Sequence, residues 1–381
     1  MDFDLNEDQR LLKDTLVRFF KDNYSFEQRK QAMAMAGGWS QDVWKQLAEL
    51  GFTGLLAPEA AGGFNGGQVE AMVAMEAMGE ALLVEPLFVS ALLGGFLLRQ
   101  CPASAQISQL EAAMVGGTAR LAVAFMEAEA PLDGAHVTTS ARTEGGKVVL
   151  NGAKTLVLHG DSATHIIVSA RHAGTPGSHH GIGLYLVEGD AAGLRRRGYA
   201  TQDGQRAAEL NFHETPAHVL NPEAYATIAK AIDFGMACIC VEAVGAMSAL
   251  HAMTVDYLKI RKQFGLPIGA FQVLQHRAVD MLVALEQARS LALVAMFAID
   301  EKDAARRHRT VAAAKVQVAR SGKFVGEEAI QLHGGIGMTM EYAAGHYFKR
   351  LKMIDVQWGD GDHHLAELAR GPNLLEDETL G

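Results

Sequence analysis

The sequence is poor in cysteine and has no excess of basic residues. Its 381 residues include Cys101, Cys238 and Cys240, an odd count without the spacing of metal ligands or of a disulfide framework. Lys and Arg number 34 against 44 Asp and Glu, a formal net charge of −10. Nucleic-acid binding by charge needs a basic face, so we expect no nucleic-acid partner. The cysteine usage predicts a reducing compartment, the cytoplasm.

We also expect no targeting signal and no membrane span. The first residues are acidic, whereas a secretory signal opens with positive charge. The most apolar stretch, 236–250, contains Glu242 and is shorter than the ~18–20 residues of a spanning helix. Hydrophobic residues make up 49% and charged residues 20% of the chain, which is enough apolar surface for a sizeable core.

Apolar spacing divides the chain into three predicted domains, 1–120, 121–221 and 222–381. The first has helical spacing throughout, with Ser40 placed to cap one helix and Gly51 to end it. The third is almost free of proline and returns to helical spacing, which predicts a bundle of long helices. Its charged segment, 300–309, is interpreted as a solvated turn between helices.

The middle domain has the pattern of short β-strands. Asn151-Gly152 lies between the apolar runs 148–150 and 155–158, and Asn-Gly in that position predicts a hairpin turn. The remaining predicted strands are centred on Ile166–Val168, Leu184–Val187 and Leu210–Phe212. The chain is therefore predicted to be mostly α with a central β domain.

Two segments of the third domain suit a phosphate ligand. In RKQFGLPIGAFQ, a long helix breaks at glycine and proline beside Arg261, whose planar guanidinium matches phosphate oxygens bidentately. In QLHGGIG, Gly334 and Gly335 stand where a backbone can approach a ligand closely. The alternatives are a surface basic cluster for the first segment and a helix-ending turn for the second.

Over nearly its whole length the sequence resembles the acyl-CoA dehydrogenase family, with four motifs in the family's order and spacing. They are GLLAPEAAGG (54–63), LNGAK (150–154), RKQFGLPIGAFQ (261–272) and QLHGGIGMTMEY (331–342). Within the family it is most similar to the pimeloyl-CoA dehydrogenase small-subunit-like branch, through GHYFKRLKMID (345–355) and WGDGDHH (358–364).

The resemblance implies an N-terminal helical domain, a middle β-barrel and a C-terminal four-helix bundle, assembled as a homotetramer or as a heterotetramer with a second such chain. It implies FAD between subunits, an acyl-CoA substrate oxidised to the trans-2-enoyl-CoA, and an electron-transfer flavoprotein as acceptor. The residues that match the family's FAD contacts are Arg261, Phe264, Gln272, Gln331, Gly334 and Gly335. Leu158 replaces the family's threonine near the flavin, and only backbone N–H groups can make that contact here.

The sequence departs from the family at the catalytic base. The two positions where members carry the base glutamate correspond to Trp358 and Gly235, and neither holds a carboxylate. Loss of a thioester α-proton needs a base. Asp360, two residues past the expected glutamate, is the first candidate, and a helix cap or polar loop residue is its alternative role.

Other carboxylates and the histidines are secondary candidates. Asp362, Asp233 and Glu242 are further possible bases, although an ion pair is the expected role of Glu242 on its apolar helix. The adjacent His363 and His364 are predicted to point to different sides of their element, and the pair at 179–180 lies in a loop. We therefore expect no metal site.

The sequence is compatible with three functions. The first is an FAD-dependent acyl-CoA dehydrogenase that uses a relocated carboxylate. The second is a non-catalytic or FAD-sharing subunit that pairs with a second acyl-CoA dehydrogenase chain, which the missing base favours. The third is an oxidase on the same fold, distinguished by peroxide production in air.

Overall fold

The structure is a computed structural model that describes residues 5–371. Within that range the chain forms two compact units. The first runs to Ala71 and resumes from Leu83 to Ile232, and the second takes Met72–Leu82 and everything from Asp233 onward.

The first unit begins with helices whose starts are set by capping side chains. Ser40 accepts a hydrogen bond from the Val43 N–H at 3.3 Å, and Gly51 follows the helix with φ +83°. Both features confirm the predicted boundaries of that helix. The helices of this part are α1 (Glu7–Asn23), α2 (Phe26–Ala34), α3 (Gln41–Glu49), a π-helical turn (Phe88–Gly94), α5 (Gly95–Gln100) and α6 (Ala105–Val115). Helix α4 (Gln68–Ala81) begins in the first unit, and its residues from Met72 onward belong to the second.

A seven-stranded sheet forms the rest of the first unit. Its order is β1-β4-β2-β3-β7-β5, with β6 paired to β7. The strands are β1 (Leu121–Ala124), β2 (Ser140–Glu144), β3 (Lys147–Leu158), β4 (His165–Arg171), β5 (Ile182–Glu188), β6 (Leu194–Ala200) and β7 (Arg206–Asn221). Buried apolar side chains such as Ile166, Val187 and Leu210 form its core. The predicted central β domain is confirmed.

The predicted hairpin turn at Asn151-Gly152 is wrong. Strand β3 continues through it, and the pairing with β7 shifts register between Leu150 and Gly152, which marks a β-bulge. Gly152 has φ +144°, and a Cβ there would lie 2.6 Å from the Thr139 Cα. The turn is instead the Gly145-Gly146 pair, because both residues adopt positive φ between β2 and β3.

The second unit is a bundle of long helices, as predicted. Its elements are most of α7 (Tyr225–Ile260), the two-stranded ribbon β8 (Lys262–Gln263) and β9 (Leu266–Pro267), α8 (Gln272–Ala298), α9 (Ala304–His333), α10 (Ala344–Val356) and α11 (Gly361–Arg370). The 3₁₀ segment Gly334–Met338 follows α9.

Two glycines let α4 and α7 cross at close range. A Cβ on Gly79 would lie 2.0 Å from the Glu242 carbonyl oxygen, and one on Gly245 would lie 2.0 Å from that of Glu76. No real Cβ contact is that short, so each backbone fills the space that the other glycine leaves open.

The charged segment 300–309 is only partly a solvated turn. Asp303 caps α9, which already begins at Ala304. Arg307 is buried and donates to Asp233 across 2.7 Å. The interpretation of the whole segment as solvated is therefore wrong for Arg307, because a partner 74 residues away pairs with it.

Two helices, α7 and α8, are long and apolar enough to cross a membrane by length and composition alone. The most apolar window of α7 is 72% buried, as in the core helix of a soluble protein, whereas that of α8 is 33% buried. Valine and leucine side chains stand exposed along α8, namely Val273, Val279, Leu282, Val283 and Val294.

Candidate functional site

The motif that begins at Arg261 forms a small ribbon at the end of α7. The Arg261 N–H donates to the Tyr257 carbonyl oxygen at 2.9 Å, and its own carbonyl accepts from Ile268 at 2.8 Å. Between them β8 and β9 turn at Phe264-Gly265, where both residues have positive φ. Phe264 is 90% exposed at this tip. The ribbon thus presents an aromatic ring and, at its base, the exposed Arg261.

No carboxylate between residues 5 and 371 lies within ion-pair distance of Arg261. The guanidinium also follows the C-terminal end of α7, where the helix dipole favours a cation. Gln272, the first residue of α8, is exposed and follows the ribbon directly. These groups are available to an external anion.

Gly334 and Gly335 form an open backbone surface at the end of α9. Gly334 has φ +63° and ψ −143°, a region that essentially only glycine adopts. A Cβ added to either glycine would meet nothing within 4 Å. Packing within the chain therefore does not require glycine at 335, and the exposed backbone leaves room for a ligand. Gln331, one turn earlier, is also exposed.

Three rings connect the Arg261 ribbon to this glycine turn within the second unit. His333 lies 4.7 Å from Tyr257 and 5.1 Å from Tyr342 between ring centroids. His333 Nδ1 donates to the Ala329 carbonyl at 2.8 Å, which leaves Nε2 to accept from the Tyr342 hydroxyl at 3.3 Å. Burial lowers the pKa of His333, which keeps the ring neutral. Tyr257, one turn before Arg261, therefore contacts His333, the neighbour of Gly334, and one ligand site shared by Arg261 and Gly334 stays a prediction.

In the first unit, Lys154 of β3 contacts Glu127, which follows β1, and Ser169 of β4. Its buried ammonium donates to Glu127 at 2.7 Å and to Ser169 at 2.9 Å. Glu127 also accepts from the Thr138 N–H at 2.8 Å. Burial opposes ionisation of Glu127, but the Lys154 charge outweighs it and holds the pKa at about 2. Lys154 therefore holds the 126–127 segment against β3, a structural role that no sequence signal indicated.

Leu158 ends β3 half-buried, with its backbone paired to Ala207 of β7. Both Leu156 and His159 beside it have positive φ. The backbone at this end of the strand is therefore irregular. An irregular backbone is compatible with ligand contacts made by backbone groups instead of a side chain.

Gly235 and Trp358, the two positions where family members carry the base glutamate, lie against each other in this chain. A Cβ on Gly235 would lie 2.6 Å from Cη2 of Trp358, so the indole lies directly against the glycine. Trp358 has φ +56° and is followed by Gly359 with φ +100°. The indole fills the space between the two positions, which a carboxylate side chain at either one would need.

The Trp358 turn is fixed by Lys315. The buried Lys315 ammonium donates to the carbonyl oxygens of Ile354 and Asp355, both at 2.8 Å, and of Gly359 at 2.9 Å. Each of the three N–H donors of the Lys315 ammonium thus has a carbonyl acceptor, so its hydrogen bonding is complete. The turn that positions the indole is therefore rigid.

Asp360 is the N-cap of α11. Its exposed carboxylate accepts from the His363 N–H at 2.8 Å. That hydrogen bond lowers the pKa of Asp360 below its ordinary value, which weakens it as a base. The structure thus gives Asp360 the capping role that the sequence analysis set beside catalysis.

The other candidate carboxylates are paired or exposed. Glu242 forms a buried bidentate ion pair with Arg350, both contacts at 2.6 Å. Asp233 is buried between Arg307 and His308, each at 2.7 Å. Asp362 is exposed in the first turn of α11. Glu242 and Asp233 are therefore not free bases, and Asp362 is the unburied carboxylate of the three.

Three family models match successive parts of the chain. They are described as the acyl-CoA dehydrogenase N-terminal domain, over residues 6–109, middle domain, over 122–215, and C-terminal domain, over 225–371. Together they cover the helical, sheet and bundle parts in that order.

Individual proteins agree with these matches. The chain is 29% identical over 352 residues to acyl-CoA dehydrogenase IpdE2 of Mycolicibacterium smegmatis, covering 91% of this chain and 93% of that protein. A solved variant of the Tcur3481-Tcur3483 steroid ACAD superposes with a TM-score of 0.86 at 28% identity, over 95% of this chain and 97% of that one. The ChsE4-ChsE5 complex from Mycobacterium tuberculosis gives 0.85 at 22% identity, over 98% and 100%, and so shows the fold alone.

Proposed function

The chain belongs to the acyl-CoA dehydrogenase family of FAD-dependent oxidoreductases, and from this premise we propose that it takes part in the α,β-dehydrogenation of an acyl-CoA thioester. The observation that carries the proposal is the ring contact of Tyr257, which precedes the Arg261 ribbon, with His333, which precedes the Gly334 turn. The two segments provide an unpaired cation and an open backbone, the donor set that a dinucleotide diphosphate needs.

Each group of this site has a defined task in holding FAD. Arg261 neutralises the diphosphate, while the open backbone at Gly334 and Gly335 allows close approach. Phe264 offers an exposed ring to stack on, and Gln272 and Gln331 offer amide hydrogen bonds. In the first unit, taken by itself, backbone groups near Leu158 would serve a flavin in place of a side chain. FAD, when bound, supplies the acceptor for the β-hydride, and an electron-transfer flavoprotein takes the electrons onward.

Subunit association follows from the surface of α8. Its exposed valines and leucines form an apolar face on a helix only 33% buried in its most apolar window. Burial of such a face against another subunit is favourable, and tetramers are typical of this family. We propose a homotetramer or a heterotetramer with a second acyl-CoA dehydrogenase chain.

One observation favours the heteromeric form. Trp358 covers Gly235, so both family positions for the base are closed, and the nearby Glu242 and Asp233 are neutralised by arginines. In this second candidate function the chain holds FAD while a companion chain supplies the carboxylate that removes the α-proton. The solved ChsE4-ChsE5 complex has the same fold.

The test is a comparison of the chain alone with the chain co-purified with a companion. FAD content is read from the flavin absorbance, and turnover from dye reduction with a panel of acyl-CoA esters. We expect bound FAD, with turnover that depends on the companion. Rapid dye reduction by the single chain would eliminate the heteromeric candidate, and a colourless protein in both preparations would contradict dehydrogenation itself.

A further inference from the structure

Three side chains of types that can ligate a metal ion lie close together on α11. The ligand atoms of His363, His364 and Glu367 all lie within 4.8 Å of one another. His363 Nε2 is 3.4 Å from one oxygen of Glu367, and His364 Nδ1 is 3.0 Å from the other. The prediction that the adjacent histidines face different sides is wrong, because residues 363 and 364 are the i−4 and i−3 neighbours of Glu367.

In the neutral His364 ring, two hydrogen-bond acceptors face each other with no proton between them. Its Nε2 lies 3.0 Å from the Trp358 carbonyl oxygen, which can only accept, so this nitrogen carries the hydrogen. In the neutral ring, Nδ1 then turns a lone pair toward Glu367, whose carboxylate also only accepts. A cation between the two acceptors resolves the conflict.

His308 of α9 faces the same carboxylate from the other side. Its Nδ1 donates to Asp233 at 2.7 Å, and Asp233 is held in turn by Arg307. The free Nε2 is then directed toward Glu367, 3.7 Å from Oε2. The backbone carbonyl of Trp358 orients the His364 ring in the way that is typical of metal-bound histidines, and His308 is a further neighbour of the Glu367 carboxylate.

We propose that His363, His364 and Glu367 bind a divalent transition-metal ion, Zn²⁺ in the first instance, with His308 beside Glu367 but outside the ligand set. Imidazoles with one carboxylate are a donor set that zinc prefers. Ligands at about 2.0–2.1 Å from a tetrahedral zinc lie about 3.3 Å apart, close to the contacts of Glu367 with both α11 histidines. This proposal replaces the expectation of no metal site.

The first test measures zinc bound by the untagged full-length protein after chelator treatment and dialysis against ZnCl₂. We expect one zinc per chain in the wild type and a dissociation constant raised about 100-fold or more by Glu367→Gln. Glu223→Gln is the matched control, because Glu223 likewise faces two histidines, His172 at 3.5 Å and His180 at 3.2 Å. It should leave zinc binding unchanged.

A second measurement separates a metal from a proton at the cluster. Co²⁺ in place of Zn²⁺ should give a tetrahedral ligand-field spectrum in the wild type that is lost in Glu367→Gln, while circular dichroism shows both proteins folded. His308→Gln should weaken zinc binding about 10-fold to 100-fold. The proposal is overturned if the wild type retains no more zinc than Glu367→Gln, or if Glu223→Gln removes the zinc instead.

Discussion

Substitutions at Asp360 distinguish a catalytic base from a helix cap. Asp360→Asn and Asp360→Ser both remove the base but keep a side chain that caps well, whereas Asp360→Ala removes both functions. Asp360 is exposed and its oxygen is engaged by the His363 N–H at 2.8 Å, so we expect the capping role alone. Loss of the cap costs about 1 kcal/mol, which lowers the melting temperature by about 2–4 °C or less in a chain of this length.

The assay is dye reduction with an acyl-CoA panel, normalised to bound FAD, beside a thermal melt of each variant. We expect the Asn and Ser variants to turn over and melt like the wild type, and only the Ala variant to melt earlier. A general base contributes about 10²–10⁴-fold to the rate. A loss of that size in both Asp360→Asn and Asp360→Ser, with FAD still bound, would refute the capping account and restore Asp360 as the base.

Three further predictions concern the framework around the site. Arg350→Met should destabilise the protein by about 3–5 kcal/mol in denaturant unfolding, because it leaves the Glu242 carboxylate buried without its partner; a change below 1 kcal/mol would contradict this. Gly245→Ala should cost about 1–3 kcal/mol or more, since its Cβ would lie 2.0 Å from a backbone oxygen, whereas Gly335→Ala should leave stability unchanged. The folded-state pKa of Glu127, about 2, lies below its ordinary 4.5, so its contribution to stability is present above pH 4.5 and is lost as the pH falls toward 2. Acid unfolding of Glu127→Gln should lack that loss, and identical acid profiles would count against the buried ion pair.

Local chemistry made parts of this fold predictable. Ser40 and Gly51 bound a helix because capping and positive φ depend on neighbouring residues only. The Asn151-Gly152 prediction was wrong because the same dipeptide suits a turn or a bulge, and the partner strand β7 decides between them. Gly145-Gly146 satisfied the turn geometry equally well.

The site was predictable as a set of residues but not as an arrangement. Arg261 and Gly334 were found from their residue types and from the family resemblance, yet their connection depends on Tyr257 and His333, which are far apart in sequence. The contact of Trp358 with Gly235 is equally long-range. Such contacts follow from helix packing, which periodicity alone does not specify.

FAD binding by the purified, assembled protein tests the central claim most directly. Titration of the wild type with FAD, followed by flavin absorbance and fluorescence, should reach saturation, and Arg261→Ala should bind FAD at least about 10-fold more weakly, as expected for loss of a charge-assisted contact of 1.5–3 kcal/mol. A protein that stays colourless with added FAD, alone and with a companion chain, or an Arg261→Ala variant of unchanged affinity, would contradict the account.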